Sequence, residues 1–343
     1  MPRSLVDHPA QLLSMGKRLM AVGRAAEAAA LVAQSLAQRP GDRLIAEIAA
    51  AIATHRVPGF HRSMLHDEPR NRAYRLGVEA AAAGRTVLDI GTGSGLLAMM
   101  AARAGAAHVF ACEQDLRLAR TAREIVAQNG LSEQVTVLHA HSGSLDRDRD
   151  LRGGADLVIS EIFDANLLGE GVLSSLRHAR QRLCLPGAQI LPGQAAITGA
   201  LVDIGPDPDG KDSGLSDIEG FDISLFRRHL RRDRSFASND PRLQLRSAPA
   251  DLFAFDFAEE IASEARGATT CTSLGGRVTG VLQWIAFDTG PGQSYANAPG
   301  PGARAHWGLR HFALDQPIET RPGDQLNVQC WRDDTTLLCW IED

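Results

Sequence analysis

Apolar positions along the first 55 residues recur at helical spacing in an Ala- and Leu-rich stretch. It breaks near Gly23 and at Pro40-Gly41, which predicts two helices followed by a third. From about residue 56 to 190 the pattern changes to short apolar runs, TVLDI (86–90), HVFACE (108–113), QVTVLHA (134–140) and ADLVISE (155–161), with helix-length segments between the first three. Such alternation predicts an α/β layer whose parallel sheet is covered by helices on both faces. After Pro186-Gly187 and Pro192-Gly193 the texture becomes β-rich, as in AAITGALVDI, GRVTGVLQWIAFDTG and NVQCWRDDTTLLCWIE, and predicts an antiparallel β domain over 191–343. The Gly/Pro-rich segments 205–214 and 290–302 are expected as exposed loops. Trp284, Trp331 and Trp340 are expected in the β core, and RRHLRRDR (227–234) as a solvated helix face or its frayed end.

Composition narrows the class. Hydrophobic residues make up 44% and charged residues 22% of 343, ordinary values for a globular chain of two or three compact units. Basic residues number 36 against 41 acidic, a formal charge of -5, so no bulk positive field exists to hold nucleic acid nonspecifically. Cys112, Cys184, Cys271, Cys330 and Cys339 are scattered without metal-site or disulfide-framework spacing; no metal site is expected, and the thiols read as reduced in a cytoplasmic protein. The opening residues lack a leader-like apolar core, and no run of about 18 apolar residues occurs, so secretion and membrane spanning are not expected.

The candidate chemistry begins where the first strand runs into Asp89-Ile90-Gly91-Thr92-Gly93-Ser94-Gly95, ahead of the helical run LLAMMAARAG. Glycines at a strand-to-helix turn let backbone approach a ligand and aim helix amides at it. A dinucleotide fingerprint would place its third glycine one residue later, where Leu96 stands. An acid beside the loop suits an ammonium group better than a phosphate. Glu113, 24 residues after Asp89, closes the second strand, where a carboxylate can receive ribose hydroxyls. The wording DxGxGxG resembles motif I of class I S-adenosylmethionine-dependent methyltransferases.

The fourth strand leads into SEIFDANLLGEG (160–171), with Glu161 and Glu170 bracketing a loop at the C-terminal sheet edge. This resembles the double-glutamate loop of the protein arginine methyltransferases. MLHDEPRNRAY (64–74) looks like that family's helix before motif I, Gly220-Phe221-Asp222 like a word of its dimerisation arm, and Ala305-His306-Trp307 like its Thr-His-Trp loop with Ala in place of Thr. The resemblance runs from about residue 60 to 343, and the spellings IGTGSGLLAMM, EIFDANLLGEG and MLHD look most like the type III, monomethylating branch. It implies a Rossmann-like class I methyltransferase domain over 56–190, then a β-barrel substrate domain over 191–343 with a helical arm at about 205–235 that makes a homodimer. It further implies that Arg70 binds the carboxylate of S-adenosylmethionine, that Asp89 with Gly91, Gly93 and Gly95 binds its amino acid part, and that Glu113 binds its ribose. Met64 and Ser142 join the cofactor set, Ser142 standing where many members carry the acid that receives the adenine amino group. Glu161 and Glu170 would hold the guanidinium of an arginine-containing protein or peptide, with Trp307 at the substrate, and His306 would pair with Asp67 to close the pocket.

The chemistry agrees with this resemblance on its own terms. A guanidinium has a pKa above about 12 and presents a planar fork of donors that two carboxylates can grip and orient. Two other readings stay open: transfer to a small guanidino or amine compound, and a noncatalytic adaptor with a cofactor-shaped cleft. In residues 1–55, Gly16, Gly23, Ala28 and Pro40 fall at spacings that resemble one tetratricopeptide repeat, read either as a helical cap or as a surface for a protein partner.

Overall fold

The computed structural model describes residues 7–21, 25–53, 60–206, 217–223, 225 and 233–342. Contacts divide the chain into two units, residues 1–63 and 64–343. In the first, α1 (Pro9–Ala21), α2 (Ala25–Gln38) and α3 (Arg43–Ala53) pack around Leu12, Ala28, Ile45, Ile48 and Ile52. Gly16 faces Ile52, whose side chain fills the place a Cβ would take. Asp42 caps α3 by accepting from Leu44 N at 3.0 Å and Ile45 N at 3.2 Å.

The short helix α4 (Phe60–Leu65) precedes α5 (Glu68–Ala81), which starts at the N-cap Asp67, whose Oδ1 accepts from Arg70 N at 3.0 Å. There follow β1 (Thr86–Ile90), α6 (Leu96–Arg103), β2 (His108–Glu113), α7 (Leu116–Gln128), β3 (Val135–His139), α8 (Arg147–Leu151), β4 (Ala155–Ser160), α9 (Val172–His178) and β5 (Cys184–Leu191). The five strands pair in parallel in the order β3-β2-β1-β4-β5. Val87, Leu88, Val109, Leu157, Val158 and Ile159 are fully enclosed, which explains why these strands read as unbroken apolar runs. The strand order reverses between β1 and β4, the point at whose C-terminal strand ends open α/β sheets take their ligands.

The rest is antiparallel and barrel-like. It comprises β6 (Gln194–Ile204), β7 (Asp233–Phe236), β8 (Leu243–Leu245), β9 (Ala250–Asp256), β10 (Ala265–Gly290), β11 (Gln293–Ala296), β12 (Leu309–Arg332) and β13 (Leu337–Glu342). The main path is β13-β12-β10-β6-β8, with β11 on β10, β7 on β12 and β9 on β6. Three expectations need correction. The segment 290–302 is not simply an exposed loop, since it holds β11 and buries Tyr295 and Asn297. Trp340 sits on the outer face of the edge strand β13 and is 47% exposed, while Trp284 is buried. Asp233 and Arg234, at the end of the basic run, belong to β7 rather than a helix; residues 227–232 lie outside the described residues. Most of the expected arm also lies outside them, and the described part carries Phe221 at 70% exposure.

One continuous core joins the parallel and antiparallel layers of the second unit. The two layers meet closely at Gly77 of α5, where a Cβ would lie 2.3 Å from Thr289 O of β10, and Thr289 Oγ1 donates to Ala73 O at 2.7 Å. That close approach holds the middle of α5 against the barrel.

Candidate active site

The glycine loop leaves β1 at Asp89, and Gly91 N and Thr92 N both donate to Cys112 O of β2 at 3.0 Å. Gly91, Gly93 and Gly95 have φ of +74, +54 and +84°, a region closed to most side chains. Asp89 is buried; its Oδ2 accepts from Thr92 Oγ1 at 2.6 Å, while its enclosed Oδ1 has no hydrogen-bond partner. Burial, with the nearby Glu113 charge adding to it, moves the Asp89 carboxyl up to about 6 against the pull of Thr92, the Ala98 amide and Arg70. Glu113 accepts from Gly93 N at 3.1 Å through Oε2 and from Asp115 N at 2.9 Å through Oε1. These residues fit an adenosyl amino acid: an unused buried acceptor suits an ammonium group, and each Glu113 oxygen keeps a lone pair for a hydroxyl. Ser142 is buried in a 3-10 turn (Ser142–Ser144) just past β3, and Met64 is half-buried on α4.

The acidic loop leaves β4, the neighbour of β1. Its backbone is anchored from three directions: Tyr74 Oη donates to Ser160 O at 2.8 Å, Trp307 Nε1 to Phe163 O at 3.0 Å, and Gln283 Nε2 to Ala165 O at 3.1 Å. Asp164 Oδ1 braces the turn by accepting from Asn166 N and Gly169 N, both at 2.9 Å. Leu167 and Glu170 hold φ of 70 and 60°, the left-handed region in which non-glycine residues are strained. The side chain of Ile162 fills the space beside Gly91, 2.4 Å from where a Cβ there would stand.

The two glutamates differ in setting. The side chain of Glu161 is enclosed and ion-pairs with the guanidinium of Arg70, which also donates to Asn71 Oδ1 at 2.7 Å and lies over the Tyr74 ring. Burial pushes the Glu161 carboxyl up to about 7, against the pull of Arg70 and with added push from Glu170 and Asp67. Glu170 faces solvent, and desolvation of its carboxyl with the charges of Asp164 and Glu113 still raises it, an effect that exposure weakens. The charge of Glu170 acts on Glu161, and that of Glu113 on Glu170, so the carboxylates lie within electrostatic reach of one another.

His306 closes one side. Its backbone N donates to Asp67 Oδ2 at 3.1 Å, its Nδ1 lies 3.0 Å from the same oxygen, and its Nε2 is 3.7 Å from Glu161 Oε1. A residue absent from the sequence reading completes the group: Tyr295 Oη donates to Asp67 Oδ2 at 2.7 Å. The chain has only two tyrosines, Tyr74 and Tyr295, and both touch this site; that scarcity was the available signal. Burial works to raise Asp67, but hydrogen bonds from His306, Tyr295 and the Arg70 amide outweigh it and hold the carboxyl below its ordinary value. Burial lowers His306 despite Asp67, favouring a neutral ring. Trp307 is buried beneath the acidic loop with its indole N–H engaged. No cluster of metal-ligating side chains occurs among the described residues.

A carboxylate pair beside a glycine loop can orient a cation against an adenosyl cofactor. Comparisons with known proteins agree. The family model for ribosomal protein L11 methyltransferase (PrmA) matches residues 77–191. The chain is 37% identical over 325 residues to an arginine N(omega)-methyltransferase of Streptomyces achromogenes subsp. streptozoticus, covering 93% of this chain and 89% of that one. It is 31% identical over 308 residues to protein arginine N-methyltransferase 7 of Danio rerio, covering 81% of this chain but spanning only 45% of that relative's length. The fold is similar to that of the Trypanosoma brucei PRMT1 enzyme-prozyme complex with AdoHcy, with a TM-score of 0.69 at 24% identity over 79% of this chain and 87% of that one. With its fold, its crevice and its likeness to the Streptomyces enzyme over nearly the whole length of both chains, this chain is an S-adenosylmethionine-dependent arginine methyltransferase and belongs to the protein arginine N-methyltransferase family.

Proposed function

We propose that the acceptor is arginine in a protein or peptide and that the product is monomethylarginine. The observation that carries this reading is the pair Glu161 and Glu170, the side chain of one enclosed and the other at the solvent edge, which can receive a guanidinium whose chain continues outward. Asp89 and the glycine loop hold the amino acid part of the cofactor, Arg70 its carboxylate, Glu113 its ribose, and Met64 and Ser142 its remaining surface. When bound, S-adenosylmethionine supplies an electrophilic methyl carbon whose bond pair stays with sulfur as the new carbon–nitrogen bond forms. The protein orients the guanidine nitrogen through the two carboxylates and offsets its positive charge. The proton shed by the methylated nitrogen is taken up at Glu161, whose carboxyl burial pushes up to about 7, and His306 Nε2 stands next to receive it. Trp307 braces the loop that carries both glutamates.

A second reading has a specific support: the Streptomyces relative is named for arginine itself, without reference to protein. Mass spectrometry after incubation with labelled cofactor separates the two. Monomethylated arginine in peptides supports the proposal; label confined to free arginine supports the second reading, and dimethylarginine overturns the monomethyl product. We further propose a homodimer through the arm, supported by the exposed Ile218, Phe221, Ile223 and Leu225. Residues 1–55 serve as a cap or a partner surface, and the five free thiols suit a reducing, cytoplasmic setting. No helix among the described residues is long and apolar enough to cross a membrane.

A further inference from the structure

Asp67 Oδ2 receives three donors at once: Tyr295 Oη at 2.7 Å, His306 N at 3.1 Å and His306 Nδ1 at 3.0 Å. An ionised carboxylate is acceptor-only, so Nδ1 must carry the proton, and Nε2 is left with its lone pair directed to the side of Glu161 Oε1. Tyr295 reaches this point from β11, inside the Gly/Pro-rich segment 290–302. Its ring is fixed, stacked on Phe287 with centroids 5.1 Å apart and edge-on to Trp307 at 5.7 Å. Burial and the Asp67 charge raise the phenol far above its ordinary value, so it remains a donor throughout the working range.

We propose that Tyr295 is a positioning residue for methyl transfer, acting through Asp67 to set the tautomer and basicity of His306. This rests on the reading above that Glu161 and His306 manage the proton. The phenol hydrogen bond draws charge from Oδ2 and weakens its hold on the Nδ1 proton. Without that bond, Asp67 stabilises imidazolium more strongly, and His306 becomes protonated at higher pH. The other charged and titratable groups around this cluster are Arg70 and Tyr74 on α5, Glu161 and Glu170 on the acidic loop, and Asp89 on β1. All of them remain in Tyr295→Phe, which deletes one oxygen and keeps the stacked ring.

The experiment is the pH dependence of kcat for Tyr295→Phe on an arginine-rich peptide at saturating S-adenosylmethionine, with nitrogen-15 NMR of histidine-labelled protein. The acid limb should move up by about 0.5 to 1 pH unit, the size expected from losing one hydrogen bond to the carboxylate. On that limb kcat should fall about 3- to 10-fold at fixed pH, with KM unchanged and the rate above the limb within about twofold of the parent. The His306 ring should titrate higher by the same amount, and in the parent its Nε2 should be the unprotonated nitrogen. A uniform loss at all pH values with raised KM, or parental His306 titration, would show that Tyr295 is only structural. Glu161→Gln distinguishes the two levels of inference. If that variant is inactive while Tyr295→Phe keeps the parental profile, the Tyr295 proposal alone fails; if Glu161→Gln keeps the parental rate, the reading beneath it fails too.

Discussion

The glycine loop after β1 and the acidic loop after β4 cap neighbouring strands of one sheet, yet meet the same backbone demand with different residues. In the first, every positive φ falls on glycine. In the second, positive φ falls on Leu167 and Glu170 as well as on Gly171, and Asp164, Trp307 and Gln283 tie the chain in place. A loop that must let a ligand approach its amides needs absent side chains. One that must present two carboxylates cannot be made of glycine, so it carries strain and depends on its anchors.

The largest effect should come from the acidic loop. Glu161→Gln and Glu170→Gln keep shape but place an amide donor opposite guanidinium donors. Losing one charge-assisted contact of about 2 to 3 kcal/mol should slow transfer roughly 30- to 150-fold, measured by single-turnover methylation. Cofactor affinity, measured by calorimetry, should be retained.

The loops also touch, and that contact can be broken from the glycine side. Gly91→Ala combines a left-handed backbone with a Cβ 2.4 Å from Ile162 Cγ2, so denaturant unfolding should show a loss of about 2 to 4 kcal/mol. With Ile162→Ala as the second substitution, a double-mutant cycle should give a coupling above about 1 kcal/mol; strict additivity would separate the loops.

Both loops bury an acid whose carboxyl is raised, Asp89 to about 6 and Glu161 to about 7. The folded protein therefore holds these protons more tightly than the unfolded chain. Their stabilising effect is complete below the unfolded values near 4 and is lost as pH rises through about 6 to 7. Each accounts for an order of about 3 kcal/mol. Thermal melts of the cofactor-free protein should fall in midpoint from pH 5 to 8, and Asp89→Asn or Glu161→Gln should flatten that slope.

The smallest test is an exchange of residue types. Gly93 has open space around it, so Gly93→Ala should cost only the backbone term, about 1 kcal/mol, whereas Glu170→Gly should recover up to about that much while abolishing transfer. Equal signs in the two unfolding curves would refute the contrast.

The sequence made these regions unequally legible. Strands β1, β2 and β4 are enclosed on both faces, so burial alone forced continuous apolar runs that could be read directly. The glycines and Asp89 were visible because a ligand-facing backbone restricts residue type at fixed spacing. Strand β11 was hidden because Gly and Pro on either side signal loop, and four residues are too few for a period. Trp340 misled because size suggests core, while an edge strand can carry a large ring on its open face. The convergence of Asp67, Glu161, His306 and Tyr295 spans more than 200 positions and depends on how α5, the acidic loop and the barrel pack. No local pattern encodes that meeting; family resemblance points to Asp67, Glu161 and His306, whereas Tyr295 joins them only through the packing of β11.

The placement of both tyrosines has a practical consequence. Selective isotope labelling of tyrosine would yield a spectrum of two ring systems, Tyr74 under the Arg70 guanidinium and Tyr295 against Trp307, with no background from elsewhere in the chain. Both phenols are raised well above the ordinary value by burial, so neither signal would titrate across the stable pH range. Any shift seen on adding cofactor or acceptor would then report the crevice itself, giving this enzyme a built-in pair of probes at the two walls of its site.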